Sequence, residues 1–213
     1  TGRPVNQLWG LQAERLFIDD SEIKAMPRQS FSGLYYPGDI KYTDINGDNV
    51  IDDNDRVAMG YPSVPEITYG FGINGRYKKV DFGVLFQGIG RVSFFVNNIQ
   101  PFAQYERNVL KAVAESHWSK DNPDLYAFYP RLSETENPNN QQNSTWWLRR
   151  GDFIRLKTLE FGYAANKILR VYANGLNLLS LSEFDLWDPE MGGGNGLGYP
   201  PQRTFNVGLQ LNF

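Results

Sequence analysis

The chain has 213 residues, with 24 acidic and 21 basic side chains and a net charge of −3, and it lacks the clustered Lys and Arg that a nucleic-acid groove needs to displace counterions. It has no cysteine and a single histidine, His117, which excludes disulfides, thiolate metal sites and Cys nucleophiles and leaves little for histidine-based catalysis. No stretch reaches the roughly 18 uninterrupted apolar residues of a membrane-spanning helix. A mean hydropathy of −0.47 still suits a transmembrane β-barrel, where only alternate residues meet lipid. The N-terminus, TGRPVNQLWG, lacks the basic and apolar regions of a signal peptide, so a mature chain or a fragment is expected.

Along the chain, the first strand candidate runs from Gln7 to Phe17, although adjacent Leu8 and Trp9 spoil its alternation. Strict period two begins at Ile67. Ile67, Tyr69, Phe71 and Ile73 share one side, and Thr68, Gly70, Gly72, Asn74 and Arg76 the other. A tight turn around Tyr77 to Lys79 leads to Val80, Phe82, Val84 and Phe86, opposed by Asp81, Gly83 and Gln87, with Leu85 as the exception; these two runs predict a hairpin. Lys111 to Trp118 suits a short helix with Val109, Leu110 and Val113 on one side, within the long loop, and NPNNQQNST at 137 to 145 reads as loop. Leu159, Phe161 and Tyr163, then Leu169, Val171 and Ala173, predict a second hairpin turning near Ala165 and Asn166. In the last strand Phe205, Val207, Leu209, Leu211 and Phe213 alternate with Thr204, Asn206, Gly208, Gln210 and Asn212.

Short and long connections alternate. The turns take a few residues, whereas the links at about 18 to 65, 88 to 152 and 180 to 202 are long and rich in Pro, Gly, Asn and Asp, as in outer-membrane barrels with short periplasmic turns and long extracellular loops. The fold class expected is all-β, a transmembrane antiparallel β-barrel portion of about six strands. Because a bacterial barrel of this type has at least about eight strands and an open edge in lipid leaves backbone groups unpaired, the chain is read as part of a larger barrel. Strands of a soluble sandwich alternate as well, so the competing reading is a soluble, calcium-stabilised β-sandwich that binds carbohydrate.

PGDIKYTDINGDNVIDDNDRVAMGYPSVPEITYGF at 37 to 71 resembles the C-terminal barrel region of the SusC/RagA family of TonB-dependent transporters. VDFGVLFQG at 80 to 88, GDFIRLKTLEFGY at 151 to 163, LRVYANGLNLLSLSEFDLWDPE at 169 to 190 and YPPQRTFNVGLQLNF at 199 to 213 resemble it in the same order. The resemblance implies a 22-stranded outer-membrane barrel with an N-terminal plug that contacts TonB, a SusD-like surface lipoprotein as lid, glycan or peptide cargo, and a C-terminal aromatic, Phe213, read by the barrel-insertion machinery. The plug and early strands have no counterpart in residues 1 to 213, and the turn AANK at 164 to 167 is shorter than the family's usual one.

DINGDNVIDDND at 44 to 55 fits a twelve-residue calcium loop. Asp44, Asn46 and Asp48 take positions 1, 3 and 5, the Val50 carbonyl position 7, and Asp52 position 9. Asn49 stands where Gly is usual, and Asp55 where a bidentate Glu is usual, which weakens or reshapes the site. The competing reading is a solvated Asx-rich turn. Ca²⁺ is the expected cofactor, in a structural role. Trp146, Trp147, Trp187, Tyr199 and the Tyr126 to Tyr129 cluster lie in expected extracellular loops, where they stack on cargo, meet a lid, or pack the loops. Asp185, Asp188 and Glu190 are weighed as a hydrolytic carboxylate pair and set aside for their turn-like setting; no catalytic residue is assigned. Phe205, Val207, Leu209, Leu211 and Phe213 are read as lipid-facing, and Lys78, Lys79, Arg149 and Arg150 as marks of the polar membrane boundaries.

Overall fold

The computed structural model describes residues 2–101 and 109–212; Phe213 lies outside them. In chain order the elements are β1 (Leu8–Gly10), β2 (Ala13–Leu16), α1 (Asp20–Ala25), β3 (Arg28–Gln29), β4 (Ile40–Tyr42), β5 (Val50–Ile51) and β6 (Val57–Met59). Then follow β7 (Ile67–Tyr77), β8 (Val80–Gly90), β9 (Ser93–Phe95), α2 (Lys111–Glu115), β10 (Leu148–Arg150), β11 (Phe153–Ala164), β12 (Leu169–Ser182) and β13 (Thr204–Leu211). The chain forms two compact units. One comprises Thr1–Gly60, Phe94–Arg149 and Gly193–Asn195; the other comprises Tyr61–Ser93, Arg150–Gly192 and Gly196–Phe213.

The second unit is built on one antiparallel sheet in the order β13-β12-β11-β8-β7. Its two hairpins are those the alternation predicts. Lys78, at φ 55°, takes the left-handed conformation that lets β7 reverse into β8 within two residues. Between β11 and β12 the Asn166 carboxamide accepts the N–H groups of Ile168 and Leu169, both at 2.8 Å, an Asx turn that closes the link with few residues. Both turns lie at one end of the sheet, and the long connections 91–152 and 183–203 leave from the other.

Register puts the apolar rows side by side. Phe71 lies opposite Phe86, Ile73 opposite Val84, and Phe82 opposite Phe161, while Val171 faces Leu209 and Ala173 faces Val207 across the β12–β13 pair. The Phe71 and Phe86 rings stack at 5.1 Å. The other face carries Asn74, Asp81, Glu160, Arg170, Asn174, Asn206 and Gln210. A sandwich would bury the apolar row against a second sheet; instead Phe205, Val207, Leu209 and Leu211 are 57–81% exposed, which removes the sandwich alternative. Glycines make room for rings on the sheet. A Cβ at Gly88 would meet the Tyr69 ring at 2.4 Å, and one at Gly208 the Tyr172 ring at 2.5 Å.

β11 and β12 are longer than the alternation alone shows, because bulges interrupt it. Leu156 pairs with Phe86 but Thr158 with Leu85, so Lys157 is an extra residue relative to β8. Against β12 the same pair faces Leu179 and Leu176, so β12 has one residue more again. The bulge changes the parity of the apolar positions in β11 from Ile154 and Leu156 to Leu159, Phe161 and Tyr163 while keeping all of them on one face.

The sixth long strand expected over Gln7 to Phe17 does not join this sheet. That segment breaks into β1, paired with β6, and β2, paired with β4, with an irregularity between Ala13 and Arg15. Gly10 lies so close to the Asn143 carbonyl that a Cβ there would sit 2.5 Å from its oxygen, and β1 ends beneath that contact. The adjacent Leu8 and Trp9 are the sequence trace of the break.

The first unit has no strand longer than four residues among those described. Its apolar core is Leu11, Leu16, Phe17, Ile40, Tyr42 and Ile51, all 0–1% exposed, and each such side chain contributes roughly 1.5–3 kcal/mol by burial. A buried amide cluster supplies the hydrogen bonds that ladders would otherwise make. The Gln29 carboxamide donates to the Ile40 carbonyl at 3.0 Å and accepts the Tyr42 N–H at 2.7 Å. Asn139 donates to the Ile40 carbonyl at 2.9 Å; Asn140 accepts the Ile40 N–H and donates to Asp39, both at 2.9 Å. Asp39 is fully buried and pairs with Arg131 at 3.1 Å. The stretch NPNNQQNST is thus irregular, as expected, yet Asn137, Asn139 and Asn140 are interior. Lys111 to Glu115 is helical, with Val113 buried. Gly38, at φ 86°, lies against the Trp118 ring, which a Cβ would strike at 2.3 Å.

Asn140→Ala would strip the acceptor from the Ile40 N–H, at about 1–3 kcal/mol for that buried group left unpaired, and remove one donor from Asp39, which keeps those of Arg131 and Tyr36. Hydrogen exchange should show the Ile40 amide losing protection in that variant while β11 amides keep theirs. Unchanged protection at Ile40 would refute the role of the cluster.

Candidate functional site

The loop at 44 to 55 folds around its own carboxylates. Asp44 accepts the N–H groups of Gly47 at 2.7 Å and Asn49 at 2.8 Å. Asn46 accepts from Asp48 at 2.9 Å, Asp48 from Val50 at 2.8 Å, and Asp52 from Asn54 at 2.7 Å. Asn49, at φ 65°, occupies the left-handed position for which Asn substitutes for Gly. Asp55 is the keystone, 0% exposed, accepting from Ile45 at 2.8 Å, Asn46 at 3.2 Å and Asp52 at 2.8 Å. Burial by itself would raise its pKa, but the N–H groups of Asp52, Ile45 and Asn46 outweigh it and hold the carboxyl below the usual range. Among the described residues no three His, Cys, Asp or Glu side chains are gathered as a metal shell.

Asp55→Asn leaves one fewer acceptor for three buried N–H groups and is expected to destabilise the loop by roughly 1–3 kcal/mol, whereas Asp48→Asn, at an exposed position, should cost little. Thermal unfolding of the two variants side by side checks this, and equal losses would contradict the keystone role.

A second charged cluster anchors α1. Asp19 caps the helix by accepting the Glu22 N–H at 2.8 Å, and Glu22 reaches back to accept the Ile18 N–H at 2.9 Å. Glu22 also meets Arg15 at 2.6 Å and Lys41 at 3.2 Å, and Lys41 meets Glu14 at 2.7 Å. Burial opposes ionisation of Glu22, but the hydrogen bonds from Arg15, Ile18 and Lys41 prevail and bring its pKa down from 4.5 to about 2. The folded value lies below the unfolded one, so the stabilisation is complete above about 4.5 and is lost as pH falls through about 2. Protection of the Ile18 to Ala25 amides should therefore be weaker in Glu22→Gln than in the wild type at neutral pH. That difference should close near pH 2, and one that persists there would refute the ionic origin.

The aromatic candidates divide by environment. Trp147 is 6% exposed, donates to the Asn140 carbonyl at 2.7 Å and packs against Tyr129 at 5.8 Å, so it is part of the core of the first unit. Trp146 is half-buried and donates to the Phe128 carbonyl at 3.2 Å. Trp187 donates to the Gly192 carbonyl at 2.9 Å and meets Phe184 edge-on at 4.9 Å. Tyr199 and Tyr126 are open, 80% and 71% exposed. Asp188 and Glu190 flank the buried Arg155, which accounts for these two carboxylates without hydrolytic chemistry. His117 Nδ1 lies 3.0 Å from the Val113 carbonyl.

On the polar face of the sheet Arg170 bridges Asp81 and Glu160, the latter at 2.8 Å, and Asn206 donates to Asn174 at 2.9 Å. Arg170 and Glu160, and Asn206 and Asn174, stand on neighbouring strands, whereas Arg170 reaches Asp81 across β11; the sequence shows these residues only as members of a polar row. Arg155 and the Gln29, Asn139 and Asn140 cluster had no sequence signal beyond residue type.

A long antiparallel sheet with one continuous apolar face, short turns at one end and long connections at the other defines part of a transmembrane β-barrel. No family model matches the chain. TonB-dependent receptor P26 of Formosa agariphila is 33% identical over 85% of the chain, and TonB-dependent receptor P3 of the same organism is 27% identical over 86%. The chain spans 20% of the length of each. Among solved structures, the RagAB peptide transporter matches with a TM-score of 0.67 at 20% identity, over 97% of this chain and 22% of that one. The RagAB peptide importer in its open-open state matches with a TM-score of 0.64 at 20% identity, over 97% and 22%. The chain is thus related to TonB-dependent receptors over 85% of its own length and shares the fold of the RagAB transporter barrel.

Proposed function

We propose that this chain is a barrel region of an outer-membrane transporter that imports oligosaccharides or oligopeptides with a SusD-like surface lipoprotein, energised through TonB. The observation that carries the reading is the sheet itself. β7, β8, β11 and β12 have 11 to 14 residues, enough to cross a bilayer at a tilt of about 45°. The apolar face of the sheet is exposed at Ile67, Phe71, Ile73, Phe82, Phe161 and along β13, as a lipid-facing surface requires, and the Arg170, Asp81 and Glu160 bridges on the other face suit a wet lumen. Tyr77 and Tyr163 stand near the turn end, where aromatic girdles form. Likeness to TonB-dependent receptors supports the outer membrane as location. The longer connections, with the exposed Tyr126 and Tyr199, supply surface for a lid and for cargo.

Phe205, Val207, Leu209 and Leu211 then face lipid, and Asn206 and Gln210 the lumen. Val207→Arg should cost about 2–4 kcal/mol near the midplane, while Asn206→Arg assembles normally. Heat-modifiable migration of the two full-length variants distinguishes them, and the opposite ranking would reverse the facing.

Calcium in the 44 to 55 loop belongs to the same reading as a proposal resting on donor chemistry alone: oxygens of Asp44, Asn46, Asp48, Val50, Asp52 and Asp55 at calcium-loop spacing. Deleting 185–198 in the full-length transporter tests the loops. Lid co-purification and cargo uptake should both fall; wild-type levels of both would make that segment a passive surface.

A further inference from the structure

A cavity of about 190 Å³ lies within the first unit. It is smaller than the roughly 300–1,000 Å³ pockets that take drug-sized ligands, and so suits a single small ring. Its lining holds six Asn and Gln residues and none that is charged, and it opens to solvent at Asn97, Asn98, Gln141 and Asn143, so it offers no counter-charge to uronates, sulfated sugars or free peptide termini.

The polar atoms around it are only partly used. Asn97 accepts from Asn98 at 3.2 Å, leaving its Nδ2 without a partner among the described residues, and Gln141 spends its Nε2 on Gln100, leaving Oε1. The Asn143 carboxamide and the Tyr129 hydroxyl have no hydrogen-bond partner among the described residues, although Tyr129 is only 6% exposed. A carboxamide offers both donors and acceptors, and a sugar hydroxyl is itself both, so each amide can serve adjacent hydroxyls of one ring. Ile99 and Trp147 give the cavity an apolar edge for the C–H side of such a ring. Repeating peptide backbone would use the amides equally, but its side chains would exceed this volume.

We propose that this cavity binds one neutral sugar unit of the cargo, an inference that rests on the transporter reading above. The site needs no metal and no covalent step. Asn143 and Tyr129 are its discriminating residues, since their polar side-chain atoms have no structural partner to lose.

The test uses the full-length transporter in detergent, with glucose, galactose, mannose and N-acetylglucosamine as probes in saturation-transfer NMR. At least one should bind with a dissociation constant on the order of 1 mM, and Asn143→Ala and Tyr129→Phe should each weaken it by roughly tenfold. Tyr129→Phe keeps the ring that packs on Trp147, so unfolding does not confuse the result; an unchanged melting temperature confirms it. Absence of binding by all four sugars, equal binding in both variants, or displacement of the sugar by trialanine would overturn the proposal. Uptake of labelled oligosaccharide is measured separately. Uptake that continues in variants unable to bind the sugar, or hexose binding in a wild type that imports no glycan, overturns the cargo role of the cavity and leaves the transporter reading intact; a wild type that imports neither glycan nor peptide sinks that reading instead.

Discussion

The first unit depends on one constraint, that buried backbone groups must be paired even where the chain makes no ladder. Its strands are two to four residues long, too short to satisfy the carbonyl and N–H groups around Ile40 and Tyr42 by themselves. Gln29, Asn139 and Asn140 do so with side chains, and Asp39 ties the cluster to Arg131. An amide in this position is a portable piece of backbone, carrying the same donor and acceptor at the end of a side chain. The apolar core can close over Tyr42 only because these groups are satisfied first.

The second unit solves the same problem in the opposite way. Its long strands pair along their whole length, so side chains are released from backbone duty and can be sorted by face. That freedom explains why the apolar row is so clean, and why the charged residues of the other row find each other across strands, as Arg170 does with Asp81 and Glu160. The two units therefore use polar side chains for different ends, one to replace backbone partners and one to populate a wet surface.

This contrast also explains what the sequence made legible. Alternation from Ile67 to Phe86, from Leu159 to Ala173 and from Phe205 to Leu211 reports face directly, and the first two runs are hairpins and the third a single strand of the sheet. The extension of β11 back to Phe153 was hidden because Lys157 shifts the parity, which makes Ile154 and Leu156 look out of phase. Gln7 to Phe17 was overread as one strand because its breaks come from distant partners, Asn143 above all. Asparagine-rich 137 to 145 looked like solvated loop, since residue type alone cannot show that an amide is interior. In the candidate site, the spacing of Asp44 to Asp55 was plain, but not that Asp55 spends both oxygens on backbone N–H groups. Trp147 likewise carried a ligand signal by type and a core role by place.

The bulge at Lys157 gives β11 an uneven tolerance to changes in length. Removing most residues of a strand rotates everything beyond by half a turn, which would bring Glu160 into the apolar row and Phe161 into the polar one. Lys157 is different, since its loss would restore unbroken alternation against β8 with both rows in place. Evolution can therefore lengthen or shorten this strand by a single residue at that point without scrambling its neighbours, and the stagger between adjacent strands, which fixes how steeply a barrel's strands lean, can be tuned there one step at a time.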